Sequence, residues 1–441
     1  MFQTIIIGAG IAGVSAAINL VKAGKRVLVL DQNPNPGGRV YSFTDKITGE
    51  IIDNGQHLMT GAYSNFLRIT DELGTSQHLT IQKHLKIEFV SENGIIGILD
   101  CSLLPGKAGI LLGLMRMKNL SSQSKYSVAK LFLKIRTIDL SNNDMTVEQF
   151  LTKEQQTKNS IINFWEPLTF ATLNNSIRKS SAKLLITVLK KAFFSGKDNS
   201  KLIFPNSPLS DLLSPFQKWL EEHDSKAIFK AKILDVIIEN NKIISVKTAK
   251  NEYKAKNFIF AIPPNNLFNL LNDNHKILAE KFSNSNIQYS PIVSVYLWLD
   301  KAFPEIKFAA MLGTRSQWVF NRKKILKDLS YNSKTYKSKL TITISNAADI
   351  MHYPKSKISE LCLAELKKLF PTIKGANLVH SIVVKMKYAT VLQTPESIKL
   401  LPKTTTSIKN MYLAGDYINT GLPATIEGAA SSGKIASAYL I

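Results

Sequence analysis

Hydrophobic positions fall into a clear order at the start of the chain. Gln3 to Ile7 is a short apolar, β-branched run, the pattern of a strand buried on both faces. Gly8-Ala9-Gly10-Ile11-Ala12-Gly13 follows at once, a helical pattern runs to Lys22, and Ala23-Gly24 supplies its stop. A second apolar strand, Val27 to Leu30, ends in Asp31. Towards the other end, Asn410 to Ala414 reads as a strand, Gly415-Asp416 follows, and Pro423 to Ala438 reads as a helix of small residues. In the middle, Phe229 to Ile262 reads as strands with a turn at Glu239-Asn240-Asn241-Lys242. Leu103 to Met117, flanked by Lys107, Arg116 and Lys118, is a glycine-spaced apolar segment. It reads either as a core helix or as a surface that dips into lipid.

The opening unit carries chemistry. Strand, glycines, helix, second strand and acid in that order predict a dinucleotide site. Gly8 permits the tight turn, Gly10 lets the backbone approach a pyrophosphate, and Gly13 lets helix and strand pack closely. Ile11 and Ala12 begin the helix, whose free amides and positive dipole end face the phosphates. Asp31 stands where an acid takes the ribose hydroxyls. Asn33-Pro34-Asn35-Pro36-Gly37-Gly38-Arg39-Val40 is then either a simple loop or a second phosphate-side loop, with Gly37 and Gly38 allowing approach and Arg39 pairing with charge.

Composition narrows the class. With 441 residues and 44% hydrophobic content, the chain can bury a large core in two interleaved domains. Its 56 basic and 33 acidic residues leave +23, which points to an anionic partner (nucleic acid, acidic lipid or a charged substrate) or to a lysine-rich bias with solvated side chains. No nucleic-acid reader motif is present. Two distant cysteines, Cys101 and Cys362, give neither a disulfide framework nor a zinc site, and the seven His show no metal-site spacing. That usage fits a reducing, cytoplasmic setting. No basic residue precedes the apolar run from Ile5 to Val21, which argues against a signal peptide, and no apolar run is long enough to span a membrane.

The glycine unit, the Gly37-Gly38-Arg39 loop and the Gly415-Asp416 helix start together resemble the two-dinucleotide-binding-type flavoproteins of the flavin amine oxidase and phytoene desaturase superfamily. The resemblance implies an α/β fold: a Rossmann-like FAD-binding domain from 1–89, 205–271 and 406–441, with an interleaved α+β substrate domain from 90–204 and 272–405. It implies that Asp416 binds the ribityl and phosphate region, that Ile426 and Glu427 face the flavin, and that Ile233 packs near the adenine. A helix start there would stabilise the negative charge of reduced flavin. No cysteine lies near Pro423 to Glu427, so the FAD is expected to be non-covalent. Phe258 to Pro264 lacks a second glycine motif, so electrons are expected to come from, or pass to, an external partner.

Asp53-Asn54-Gly55-Gln56-His57-Leu58-Met59-Thr60-Gly61-Ala62-Tyr63, Pro167-Leu168 with Ala171 to Asn174, Gln317 to Arg322, Gln393-Thr394-Pro395 and Thr420 to Ala429 resemble segments of the hydroxysqualene dehydroxylases. Asn321 and Asn175 depart from that pattern. The resemblance implies a polyisoprenoid lipid substrate, reductive loss of its allylic hydroxyl as water, and peripheral contact with an anionic membrane. The Gly55-Gln56-His57 loop would pass before the flavin. His57 is then the acid candidate, unless Asp53 and His57 only order the loop; Glu166, on a Trp165-Glu166-Pro167 turn, is a second acid candidate. A carotenoid desaturase is the nearest rival. An amine oxidase is a further one, although Thr425 stands where those enzymes place an aromatic residue.

Overall fold

The computed structural model describes residues 2–104, 106–272, 287–326 and 336–441, with the side chain of Asn93 left out. Lys327, the last residue of the basic stretch Arg322, Lys323, Lys324 and Lys327, lies outside the described residues.

Five short strands form a parallel sheet in the order Lys226–Ile228, Val27–Leu30, Thr4–Ile7, Asn257–Phe260, Met411–Leu413. Alternation along each strand divides the apolar side chains between two layers. Ile6, Val29 and Ile259 face helices Ile11–Lys22 and Ile426–Ala438, while Ile5, Leu28 and Phe258 face the antiparallel meander of Asp235–Glu239, Lys242–Lys247 and Glu252–Tyr253. A β-turn through Asn240 and Asn241, both at positive φ, joins the first two meander strands. Both helices pack at backbone distance: a side chain on Gly433 would meet the Ala12 carbonyl at 2.1 Å, and Ser15 Oγ donates to the Ala430 carbonyl at 2.6 Å. This is why the closing helix is built from Gly, Ala and Ser.

A second sheet has seven strands in the order Leu378–Val391, Tyr289–Leu299, Ser338–Ile344, Trp318–Asn321, Phe308–Met311, Lys86–Ser91, Ile95–Asp100. Neighbours are antiparallel except for Phe308–Met311 beside Lys86–Ser91. Val293, Val295, Leu340 and Ile342 pack on helix Lys355–Leu369. The opposite face presents Ser294, Thr341, Thr343, Trp318 and Phe320, a mixed polar and aromatic surface. Strand Lys86–Ser91 spans residue 90, where the sequence suggested a domain boundary, so the strand and its hairpin partner belong wholly to the second sheet. Helices Gly106–Arg116, Ser122–Lys134, Val147–Lys153 and Ala182–Phe194 close over the edge of this sheet in one apolar cluster.

Glu166 does not sit on a turn. It opens helix Glu166–Leu173, continuous with a π-helical turn at Ile161–Trp165. Pro167 has no N–H to give to the preceding turn, and the widened turn just before it accommodates the ring without ending the helix.

A candidate flavin and lipid site

One cavity of about 970 Å³ runs between the two sheets. Its first arm is a cradle of backbone. Gly8 has φ +104°, and a side chain there would meet the Ala261 carbonyl at 2.5 Å. Gly13 has no room either, since its Cβ would lie 1.9 Å from the Gly8 carbonyl. Gly10 is different: the space beside it is open, with Gly38 Cα at 4.0 Å across the gap. Gly10 caps helix Ile11–Lys22 without any side-chain cap, and no acid occupies the first turn. The helix therefore presents its amide dipole to an anion. The Asp31 carboxylate is held by Ala9 N at 2.6 Å and Asn33 N at 2.7 Å at the edge of this arm.

All the expected cofactor residues except Gly13 line the cavity. Gly13 acts behind the wall, by allowing the helix to sit against the strand. Two residues are engaged differently from the expectation. Arg39 Nη2 meets Asp416 Oδ1 at 2.7 Å while its Nη1 donates to the Ala389 carbonyl at 2.6 Å, so Arg39 joins the two ends of the cradle to each other. The Glu427 carboxylate accepts from Asn65 Nδ2 at 2.7 Å and from Phe66 N at 3.1 Å, and so caps helix Ser64–Glu72. Burial raises the Glu427 pKa, opposed by those N–H donors. Gly415, at φ +154°, donates its N–H to Ser432 Oγ at 2.8 Å, and Ile426 begins the closing helix behind an N-cap from Thr425, whose Oγ1 accepts from Gly428 N at 3.2 Å. Ile233 lies on the wall near Asp31.

The second arm is apolar. Leu85, Phe89, Leu114, Phe132, Leu168 and Phe308 are among the residues that line it, drawn from strands and helices spread over more than half of the chain. Helix Gly106–Arg116 turns Ile110 and Leu114 into this arm and leaves Met115 exposed beyond the preceding Leu103 and Leu104.

The junction of the arms is the loop Asn54-Gly55-Gln56-His57. Ser294 Oγ stands 3.0 Å from where a Gly55 side chain would begin. Asp53 lies behind the loop and does not line the cavity. Its carboxylate is saturated by Arg322 Nη2 at 2.7 Å, Ser42 Oγ at 2.8 Å and Leu209 N at 3.0 Å, and its carbonyl accepts from Tyr296 Oη at 2.8 Å. Arg322 also donates to Gln56 Oε1. This arginine is 1% exposed, so it is no part of a basic surface; it fastens the loop to the second sheet. Asp53 shares that structural task.

His57 does line the cavity. Burial lowers its pKa, an effect that Asp53 opposes and Arg39 reinforces, so the imidazole is neutral near pH 7. Glu166 stands apart, on a separate cavity of about 500 Å³ beside Lys179, Arg315 and Asp349. Burial raises its pKa, and it does not line the main cavity. Sequence reasoning missed Tyr63 as a site residue, although it closes the Asp53-to-Tyr63 segment. It lines the cavity and has its phenol pushed up to about 12 by burial.

The family model for flavin containing amine oxidoreductases matches residues 11–441. The chain belongs to that family. As a flavin-containing oxidoreductase it binds FAD, and the open glycine cradle with its uncapped helix start fits the cofactor's pyrophosphate. Neither cysteine lines the cavity. A curated relative, the zeta-carotene desaturase of Arabidopsis thaliana, is 24% identical over 480 residues and covers 99% of this chain and 84% of its own. The hydroxysqualene dehydroxylase of Zymomonas mobilis is 22% identical over 444 residues, covering 99% and 98%. Among solved structures, an oxidoreductase from Methanosarcina mazei superposes with TM-score 0.74 at 16% identity, covering 98% of this chain and 99% of that one. Among the described residues no helix is long and apolar enough to cross a membrane.

Proposed function

We propose that this flavin oxidoreductase removes the hydroxyl of hydroxysqualene reductively to give squalene. The observation that carries the reading is the apolar arm opening directly from the flavin cradle, which suits a long polyisoprenoid. Bound FAD in its reduced form would supply the hydride. Gly8, Gly10 and Gly38 would hold the pyrophosphate side, Asp31 the ribose, and Asp416 with Ile426 the flavin side. Arg322 and Asp53 fix the loop at the junction, and His57 forms part of its wall as a neutral imidazole.

Two partners belong to the same proposal. Electrons come from an external donor, because the strand Asn257–Phe260 and the following prolines carry no second glycine-rich loop. An anionic membrane surface delivers the lipid: Leu103 and Leu104, just before helix Gly106–Arg116, and Tyr126 and Leu133, on helix Ser122–Lys134, are exposed near Lys107, Lys125 and Lys130.

A carotene desaturase is the second reading. It is supported by relatives of that activity at similar identity and by an apolar arm equally suited to a hydrocarbon. The test is anaerobic. Photoreduced enzyme mixed with hydroxysqualene should be reoxidised with squalene formed. If hydroxysqualene leaves the flavin reduced while phytoene or zeta-carotene bleaches the oxidised enzyme, the desaturase reading replaces the first.

A further inference from the structure

Two cavities meet at one side chain. Among the described residues, Phe170 alone lines both the main cavity and the second cavity of about 500 Å³. It stands on helix Glu166–Leu173, which forms the partition. Leu168, Ala171 and Leu173 of that helix face the main cavity, whereas Glu166 and Pro167 face the second. Across from the helix, Trp318 and Ser345 line the main cavity, and their chain neighbours Gln317 and Asn346 line the second. The Phe170 ring therefore closes a gap between the helix and the ends of strands Trp318–Asn321 and Ser338–Ile344.

The partition is held at both ends. Trp165, on the widened turn before it, donates from Nε1 to Gln156 Oε1 at 2.8 Å. Asn174, which ends the helix at φ +50°, donates from Nδ2 to Thr390 Oγ1 at 2.8 Å, and its carbonyl accepts from Ser290 Oγ at 2.6 Å. The π turn also sets which residue meets the gap. One inserted residue rotates everything after it by about 100°, the step of a regular helix. Beyond the ring the chemistry changes. The second cavity brings Glu166, Lys179, Arg315 and Asp349 beside Ile162, Met311 and Leu312. A hydrocarbon chain that met this point would leave apolar surroundings for charged ones, and each carbon stopped short of it loses burial.

We propose that Phe170 is the end-stop of the lipid arm and fixes the length of chain the arm accepts at thirty carbons. The inference rests on the hydroxysqualene reading, which supplies that length. With a small side chain at position 170 the two cavities join. A longer chain then gains Ile162, Pro167, Met311 and Leu312 as walls, while Glu166 and Lys179, neither of them buried, turn their charges to solvent.

The test uses oxidised, FAD-loaded enzyme and two saturated hydrocarbons that cannot react with it, squalane with thirty carbons and lycopane with forty. Both are delivered in the same detergent micelles, and binding is read from the flavin spectrum. Wild-type enzyme should bind squalane about tenfold more tightly than lycopane, the order expected where a pocket turns away part of a chain. Phe170→Ala should bring that ratio close to one by tightening lycopane, with FAD content unchanged. A merely structural loss would weaken both hydrocarbons together and leave the ratio alone. Should Phe170→Ala fail to retain FAD, Phe170→Leu carries the test, with the ratio reduced to about threefold. An unchanged ratio in a flavin-loaded variant, or equal binding of the two chains by wild type, would overturn the end-stop. A ratio that moves as stated, in an enzyme whose reduced flavin is left unoxidised by hydroxysqualene, would keep the end-stop and remove the dehydroxylase reading instead.

Discussion

The two arms of the cavity are built on opposite principles. The cradle is made of backbone: glycines that exclude side chains, an uncapped helix start, and one ion pair closing the ring. The lipid arm is made of side chains, whose sizes set the shape of its wall. The cradle therefore tolerates almost nothing, whereas the arm can drift from one long lipid to another. Relatives of similar identity that act on carotenes and on hydroxysqualene, as their names record, fit this division.

The sharpest way to break the comparison is Gly13→Val. With the Gly8 carbonyl 1.9 Å from the new Cβ, strand and helix must separate. The purified chain should keep less than about a tenth of its flavin absorbance, the outcome expected where the helix start no longer meets the pyrophosphate. Retention of FAD would show that the cradle is less rigid than its packing indicates. Next comes Arg322→Ala, which leaves the Asp53 carboxylate buried without its cation. Unfolding free energy should fall by about 3–5 kcal/mol in a denaturant titration. Arg322→Lys should recover only part of it, because one ammonium cannot reproduce the fork that holds both Asp53 and Gln56.

In the lipid arm, Leu168→Asp should leave FAD content near wild type while lipid turnover drops about a hundredfold, since a carboxylate must be desolvated wherever the chain of the lipid would lie. Loss of flavin in this variant would mean that the arms are not independent. The smallest effect belongs to His57. Its folded pKa is lowered, so between that value and the ordinary value of about 6.5 the folded state binds fewer protons than the unfolded state. Stability from this group is full above about 6.5 and falls as pH drops through the window, by at most about 1.4 kcal/mol per pH unit. His57→Gln should flatten that part of the stability–pH curve.

The cradle was legible because its logic is local: glycine spacing, a strand on either side and Asp31 all lie within the first 31 residues. The Gly415-Asp416 helix start was legible for the same reason. What joins them was not. Arg39 reads as a phosphate ligand from its own loop, and only the fold brings Asp416 to it. Arg322 sits in a run of lysines and looks solvated; its burial depends on Asp53 and Gln56, which lie far away in sequence. Glu166 beside Pro167 reads as a turn because proline usually ends a helix, and the π turn that spares the helix leaves no mark in composition. The boundary expected at residue 90 falls inside strand Lys86–Ser91, because its partner Phe308–Met311 comes from the other half of the chain.

The pair of Arg39 and Asp416 spans 377 residues. During synthesis the phosphate loop emerges long before the strand and helix that complete its ring. Cofactor loading is thus a late, whole-chain event, and a nascent or truncated chain presents half a nucleotide site with nothing to close it. Supply of FAD at the moment of chain completion, rather than earlier, would then decide what fraction of the protein matures.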